Sequence, residues 1–205
     1  MMNTSTASIA AILIALIVVP QGYSQENNAR RKRGEDPPIR GGGQLYITPL
    51  PKDIPRSLKH LYDMADVVVE GTVTSILAVR ETGIRSLETD AAVQVERTIK
   101  GPADLKSLVI AQRGGTKGEL SIQPMQYSLV EPGEKYLLFL NKDNRPNLPT
   151  TENRYVVTGV WSGLFPFHNG RMTLRTSQPD LLRKAYEGLT IDEIIREIKA
   201  SLEQR

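Results

Sequence analysis

"VEPGEKYLLFLNKD", residues 130–143, decides the fold. Pro132-Gly133 is a turn signal, and Lys135 to Asn141 follows it as a strand. Tyr136, Leu138 and Leu140 fall on one face and Leu137 and Phe139 on the other, so the strand is expected to be covered on both sides. A strand at a catalytic mouth sets a polar side chain at a buried or mouth position. This run has none, and its expected job is packing.

The neighbouring stretches supply the partners such a strand needs. Upstream, "RSLKHLYDMA" places Leu58, Leu61, Tyr62 and Ala65 at helical spacing behind a Ser57 N-cap. From Val67 the period changes: "DVVVEGTVTSILAV" is rich in β-branched residues, and Gly71 inside it predicts a bulge or a sharp bend. "AAVQVERTIKG" alternates cleanly, with Val93, Val95 and Ile99 on one face and Gln94, Glu96, Thr98 and Lys100 on the other. "KGPADL" is a turn and "SLVIAQRGG" a third strand. Downstream come a further strand, "RYVVTGVW", a Gly-rich bend, "SGLFPF", and a hairpin turn, "HNGR", whose Asn169-Gly170 is a type I′ signal leading into "MTLRT". A helix is predicted from about Pro179 to Glu187. Another opens with Thr190 and Glu193 in capping-box spacing, its stripe being Ile191, Ile194, Ile195, Ile198 and Leu202. The sum is a mainly β fold: a small five- to six-stranded OB-like barrel with one N-terminal helix and two C-terminal helices. The barrel domain is expected over residues 56–176, with 177–205 as a helical extension packed on it.

The ends of the chain concern compartment. Residues 9–19, "IAAILIALIVV", form an uncharged apolar run that would rise only about 16 Å as a helix, short of the roughly 30 Å hydrocarbon core. "PQGYSQ" follows, with Gly22 and Ser24 at the small positions a signal peptidase requires. Residues 1–24 therefore read as a signal peptide cut between Ser24 and Gln25, and the chain as secreted or periplasmic with no stable membrane span after cleavage. Residues 1–8 contain no Lys or Arg, and an uncleaved segment tethering the protein to the membrane is the alternative. Residues 25–55 read as a disordered linker, for "ARRKRGEDPPIRGGGQ" combines a charge run, a Pro pair and a Gly triplet. "RRKR" (Arg30–Arg33) reads as solvated linker or as a processing or polyanion-contact site. Of the 26 basic and 23 acidic residues, 21 and 20 remain outside residues 25–40, so the domain itself is almost neutral. The chain has no cysteine, which removes disulfides, thiol nucleophiles and lipoprotein anchoring together.

"ADVVVEGTVTSI", "VQVERTIKG" and "GEKYLLFLN", in that order over about residues 65–160, resemble the strand signatures of secreted bacterial proteins with a netrin/TIMP-like OB barrel. The closing "GLTIDEIIREIKASL" is similar to the helix that often follows such barrels. The resemblance implies fold more than activity. Animal inhibitors of that group chelate a protease's zinc through an N-terminal cysteine and a Cys-x-Cys, and this cysteine-free chain cannot use that mechanism.

Chemistry is sparse in the remaining text. "GVWSG" is not a G-x-S-x-G elbow, because Ser162 falls one position late and in a β context. His60 and His168 stand apart without metal-ligand spacing, "NKDNRPN" (141–147) lacks the order of a Ca²⁺ loop, and Glu131/Glu134 flank a turn and read as solvated. No metal, cofactor or catalytic residue is expected, and the chain reads as a non-enzyme. Between Tyr62 and Tyr127 there is no Phe, Tyr or Trp, so strands that would stack nucleic-acid bases have nothing to stack with. Candidate binding residues are Trp161, Phe165 and Phe167 of "GVWSGLFPFHNGR", with sealing of the barrel end as their other reading. Arg113 and Lys117 of "RGGTKGEL" are the second candidate: a loop presenting amides to an anion, or simply a mobile one. The expected function is an exported non-catalytic binding or interaction module with an exported or cell-surface protein partner. The alternatives are an inhibitor or modulator of an exported enzyme and a hydrolase using Ser162, His168 and Asp143.

Overall fold

The computed structural model describes residues 43–47, 54–83, 86–125, 127–145, 153–174 and 181–203. Residues 1–24, expected to be a signal peptide, the expected Ser24/Gln25 junction and Arg30–Arg33 lie outside them. A short strand, β1 (Gly43–Ile47), precedes helix α1 (Leu58–Met64). Two long strands follow, β2 (Val67–Gly83) and β3 (Ser86–Lys100), then β4 (Ser107–Arg113) and a hairpin of β5 (Gly115–Lys117) and β6 (Leu120–Pro124). The strand quoted above is β7 (Lys135–Lys142). After it come β8 (Arg154–Val157), β9 (Leu164–His168), β10 (Arg171–Met172), α2 (Leu181–Lys184) and α3 (Ile191–Glu203).

The protein is mainly β and barrel-like. Antiparallel pairing runs from β7 to β2, β3 and β4; β8 joins β4 in parallel, Val109 beside Arg154, and also pairs with the end of β7. The second edge of β7 is shared, with β9 along residues 135–138 and β8 along 140–142. Phe139 lies at the join. Its N–H donates to Gly163 O (2.9 Å) and its carbonyl accepts from Thr158 N (2.9 Å), so the turn between β8 and β9 is stitched to the same edge.

Both faces of β7 are covered, as its sequence requires. Tyr136, Leu138 and Leu140 pack with Val69, Val93 and Ile110 inside the ring, whereas Leu137 and Phe139 pack with Leu61, Phe165, Ile194 and Ile198 beneath the helices. Ser57 Oγ accepts from His60 N (3.1 Å) to start α1. The Thr190/Glu193 capping box forms, Thr190 N donating to Glu193 Oε2 (2.8 Å) and Glu193 N to Thr190 Oγ1 (3.3 Å).

Several expectations are corrected. Residues 43–47, placed in the linker, form β1 alongside β6; five uncharged residues that begin with the last Gly of a triplet are too short a run to stand out from linker text. The bend "SGLFPF" contains β9, whose Pro166 masks a strand that is nevertheless paired to β7. Ile99 leaves the face of Val93 and Val95 and packs toward the helices, because the β2–β3 register shifts between Gly71 (opposite Val95) and Glu70 (opposite Arg97). The first C-terminal helix is described only over Leu181–Lys184, with turns to Gly188, where φ is +83°. Among the described residues no helix is long and apolar enough to cross a membrane.

Candidate functional site

The start of β3 breaks the alternation of an ordinary strand, since Leu87, Glu88, Thr89 and Asp90 are all buried. Period 2 puts Leu87 and Thr89 on the face of Ala91 and Val93, and Glu88 and Asp90 on the opposite one. Each face is closed by a different device.

Over the outer face lies an ion cluster. Arg154, only 3 % exposed, opens β8 and donates through Nη2 to Glu88 and to Asp90 Oδ1 (2.9 Å), and through Nη1 to Asp143 just beyond β7. Arg145 bridges Glu88 Oε2 and Asp143 Oδ2, both at 2.7 Å, and Arg80 of β2 holds the other oxygen of Asp90. Three carboxylates face three guanidinium groups, so the set is neutral overall. A buried carboxylate without a partner would be prohibitively costly. Arg154 stands where a divalent cation would stand among three carboxylates, and no metal-holding group of His, Asp or Glu occurs among the described residues. Asp143 and Arg145 of "NKDNRPN" thus belong to this network.

The inner face carries the β5–β6 hairpin. Gly114 N donates to Leu87 O (2.8 Å), and Thr89 Oγ1 donates to Gly114 O (2.8 Å). Gly115 has φ +131°, and a Cβ there would fall 2.5 Å from Thr89 Oγ1 and 2.9 Å from Val79 Cγ1. Only glycine fits so close an approach. Lys117 pairs with Glu81 of β2 at 3.3 Å, and Tyr127 Oη donates to Arg113 O at 2.8 Å. Burial pushes the Tyr127 phenol well above its ordinary pKa, which keeps it a donor. "RGGTKGEL" is therefore a strand end and an anchored hairpin. The side chains of Arg113 and Lys117 are exposed on it, and its Gly114 amide is spent on Leu87 rather than offered to an anion.

The aromatic candidates lie inside. Phe165 is fully buried between Phe139 (ring centroids 5.5 Å apart) and Tyr186 (6.1 Å), and Trp161 and Phe167 are 8 % and 7 % exposed. Phe165 and Phe167 pack β9 beneath the helices, and Trp161 is buried in the turn before β9. His60 is an exposed helix residue whose Nδ1 accepts from Arg56 N (3.3 Å). His168 borders a cleft of about 370 Å³ with Lys135, Phe167, Asn169 and Ile191. Ser162 is buried in the turn before β9. Glu134, read as solvated, is half-buried and accepts from the Tyr136 hydroxyl.

Beside that cleft runs a surface ladder. Lys135 reaches Glu96 and Glu70, and Arg97 joins Glu70 (2.7 Å) to Asp192 of α3 (2.8 Å). Hydrogen bonds from Lys135 and Thr72 hold the Glu96 carboxyl below its ordinary 4.5, and the same Glu96 contact raises Lys135. A lowered carboxyl pKa contributes stability above the unfolded value and loses it as pH falls through the folded one; a raised lysine pKa is lost at the alkaline end. Glu96→Gln is expected to cost less than about 1 kcal/mol, since the pair is exposed and screened. In thermal melts from pH 3 to 7 the difference from wild type should be full above about pH 4.5 and disappear below it. A difference unchanged at pH 3 would show that the charge of Glu96 is not what the ladder uses.

No protein-family model matches the chain, and a search of curated proteins finds no match.

Proposed function

We propose that this chain is an exported, non-catalytic binding or interaction module on an OB-like barrel, similar to netrin/TIMP-like domains, with an exported or cell-surface protein as partner. One observation carries the non-catalytic part: the residues suited to hydrolytic chemistry are held apart. Phe167 lies opposite Lys135, so His168 sits beside Glu134, whereas Asp143 follows the other end of β7. Nine residues of strand put the two roughly 25–30 Å apart at about 3.3 Å per residue. Asp143 is also spent on Arg154 and Arg145. The order of strand pairing, with β8 parallel to β4, supports the OB-like reading, and the domain's near-neutral charge and the aromatic-free stretch between Tyr62 and Tyr127 favour protein over nucleic acid. The exposed turn at Gly118–Glu119, carried on an anchored hairpin, supports a second reading as a modulator that inserts a loop into an exported enzyme.

The test is cross-linking of the native protein in the exported fraction, with intact-mass analysis of the products and turnover assays of Ser162→Ala and His168→Ala. The module reading expects a mature chain beginning at Gln25, a discrete stoichiometric protein adduct, and hydrolytic turnover at background in wild type and variants alike. Turnover that falls a hundredfold or more in either variant would replace it with the hydrolase reading. Nanomolar loss of a protease's activity on titration would favour the modulator.

A further inference from the structure

β6 carries β5 on one edge and β1 on the other. β1 runs parallel to β6 over five residue pairs, from Gly43 beside Leu120 to Ile47 beside Pro124, and pairs with no other described strand. It is supplied by a segment whose composition is otherwise that of a linker. We infer that this edge of β6 is a docking site for an extended, uncharged polypeptide segment of a partner protein, and that residues 43–47 are its built-in competitor. The inference deepens the binding-module reading and rests on it.

Three features support the assignment. The acceptor is pre-ordered: its hairpin is fixed to β3 through Gly114 and Thr89 and lies against Val79 of β2 at Gly115. A rigid edge spares the ordering cost that weakens binding by mobile loops. The chemistry of the ligand is shown by the strand already seated there. "GQLYI" and "LSIQP" contain no charged residue in a chain that is 24 % charged, so recognition rests on main-chain hydrogen bonds to an uncharged segment. Finally, β1 is tied to α1 by ten residues, 48–57, which reach at most about 35 Å. Such a tether holds a strand at an effective concentration on the order of millimolar. An outside segment therefore binds weakly while β1 is seated and strongly once it is displaced.

The experiment uses the full chain and a fluorescein-labelled peptide, GGGQLYITP (residues 41–49), as the probe. One variant carries Gln44→Pro with Leu45→Pro, so that whichever of the two alternating positions donates to β6 loses its N–H. Another carries Gln44→Cys with Ser121→Cys, register neighbours in a protein that has no other cysteine; adjacent strands lie at a spacing of about 4.8 Å that a disulfide spans. The proline variant is expected to bind the peptide at least tenfold more tightly than wild type, and the oxidised cysteine variant at least tenfold more weakly than its reduced form. Equal binding by oxidised and reduced forms overturns the proposal, as does a folded proline variant that binds the peptide no more tightly than wild type; if the double-proline variant does not fold, Leu45→Pro alone takes its place. A partner adduct that persists on the oxidised variant would remove the β6 site while leaving the module reading intact.

Discussion

Arg154→Ala is expected to destabilise the domain by about 3–5 kcal/mol, the cost of leaving buried charge unpaired. For a chain of this size that is a fall of roughly 6–20 °C in Tm. The single guanidinium group of Arg154 contacts Glu88, Asp90 and Asp143, whose side chains are 4 %, 10 % and 2 % exposed. Arg145 and Arg80 cannot substitute, because each is already committed to a carboxylate and reaches solvent at 44 % and 24 %. Arg154→Lys should recover only part of the loss, since a point ammonium cannot reproduce the planar fork that serves three acceptors. The cluster is nevertheless not fully satisfied: the Nε atoms of Arg154 and Arg80 are buried without a partner. An apolar replacement of the whole centre should therefore do better than removal of one member. Arg154→Met combined with Arg80→Met, Glu88→Met, Asp90→Leu and Asp143→Asn leaves only the 44 % exposed Arg145 charged and should regain at least half of the lost stability. Chemical denaturation of the three variants measures this. A loss below about 1 kcal/mol for Arg154→Ala would mean that water reaches the cluster.

That cluster was not legible in the sequence, and the barrel was, for one physical reason. The strand signatures name residues whose work is done within their own strand or its neighbour. Asp66 N donates to Asn141 Oδ1 (3.1 Å), and Lys142 N donates to Asp66 Oδ2 (2.9 Å), so the first and third signatures bond to each other where β2 meets β7. Gly71 is required because a Cβ would fall 2.6 Å from Gln94 O of β3. Lys100, closing the second signature, donates to Tyr62 O (2.8 Å) and Ala65 O (2.5 Å) and so caps the C-terminus of α1. Alternation, turn residues and caps report such local work. Arg80, Glu88, Asp90, Asp143 and Arg154 are spread over four segments, and each alone reads as an ordinary exposed charge. The one available signal was Glu88 and Asp90 at i, i+2 just before the apolar alternation of β3, two acids on one face that require a distant cation.

The candidate binding residues divide along the same line. Trp161, Phe165 and Phe167 were visible as a rare aromatic cluster, but composition cannot tell a surface from an interior, and the choice is made by β9 pairing with β7. Arg113 and Lys117 were found for their glycines, and one of these, Gly115, turns out to let the β5–β6 hairpin lie against Thr89 and Val79. β1 escaped because a parallel edge strand of five residues draws its order from β6 and not from its own pattern.

Phe139→Ala is the second large loss expected, about 3–5 kcal/mol for a fully buried aromatic whose site cannot collapse. The site is held open from both directions. The backbone of Phe139 bonds Gly163 and Thr158, and a Cβ on Gly163 would meet Phe139 O at 2.6 Å, so this edge cannot slide inward to fill the gap. The ring packs tilted against Phe165, which in turn meets Tyr186, and belongs to the cluster that includes Ile194 and Ile198 of α3. Leu138→Ala, one residue away, should also cost about 2–5 kcal/mol, but from the opposite core, among Val69, Val93 and Ile110. The two variants should therefore differ in where they loosen. Amide exchange is expected to quicken across α3 in Phe139→Ala well below the global unfolding limit, while α3 in Leu138→Ala exchanges only with the whole domain. Equal protection of α3 in both variants would show that the two cores unfold as one unit, and that the C-terminal helix is held by the ring itself rather than by the single face of β7 on which it rests.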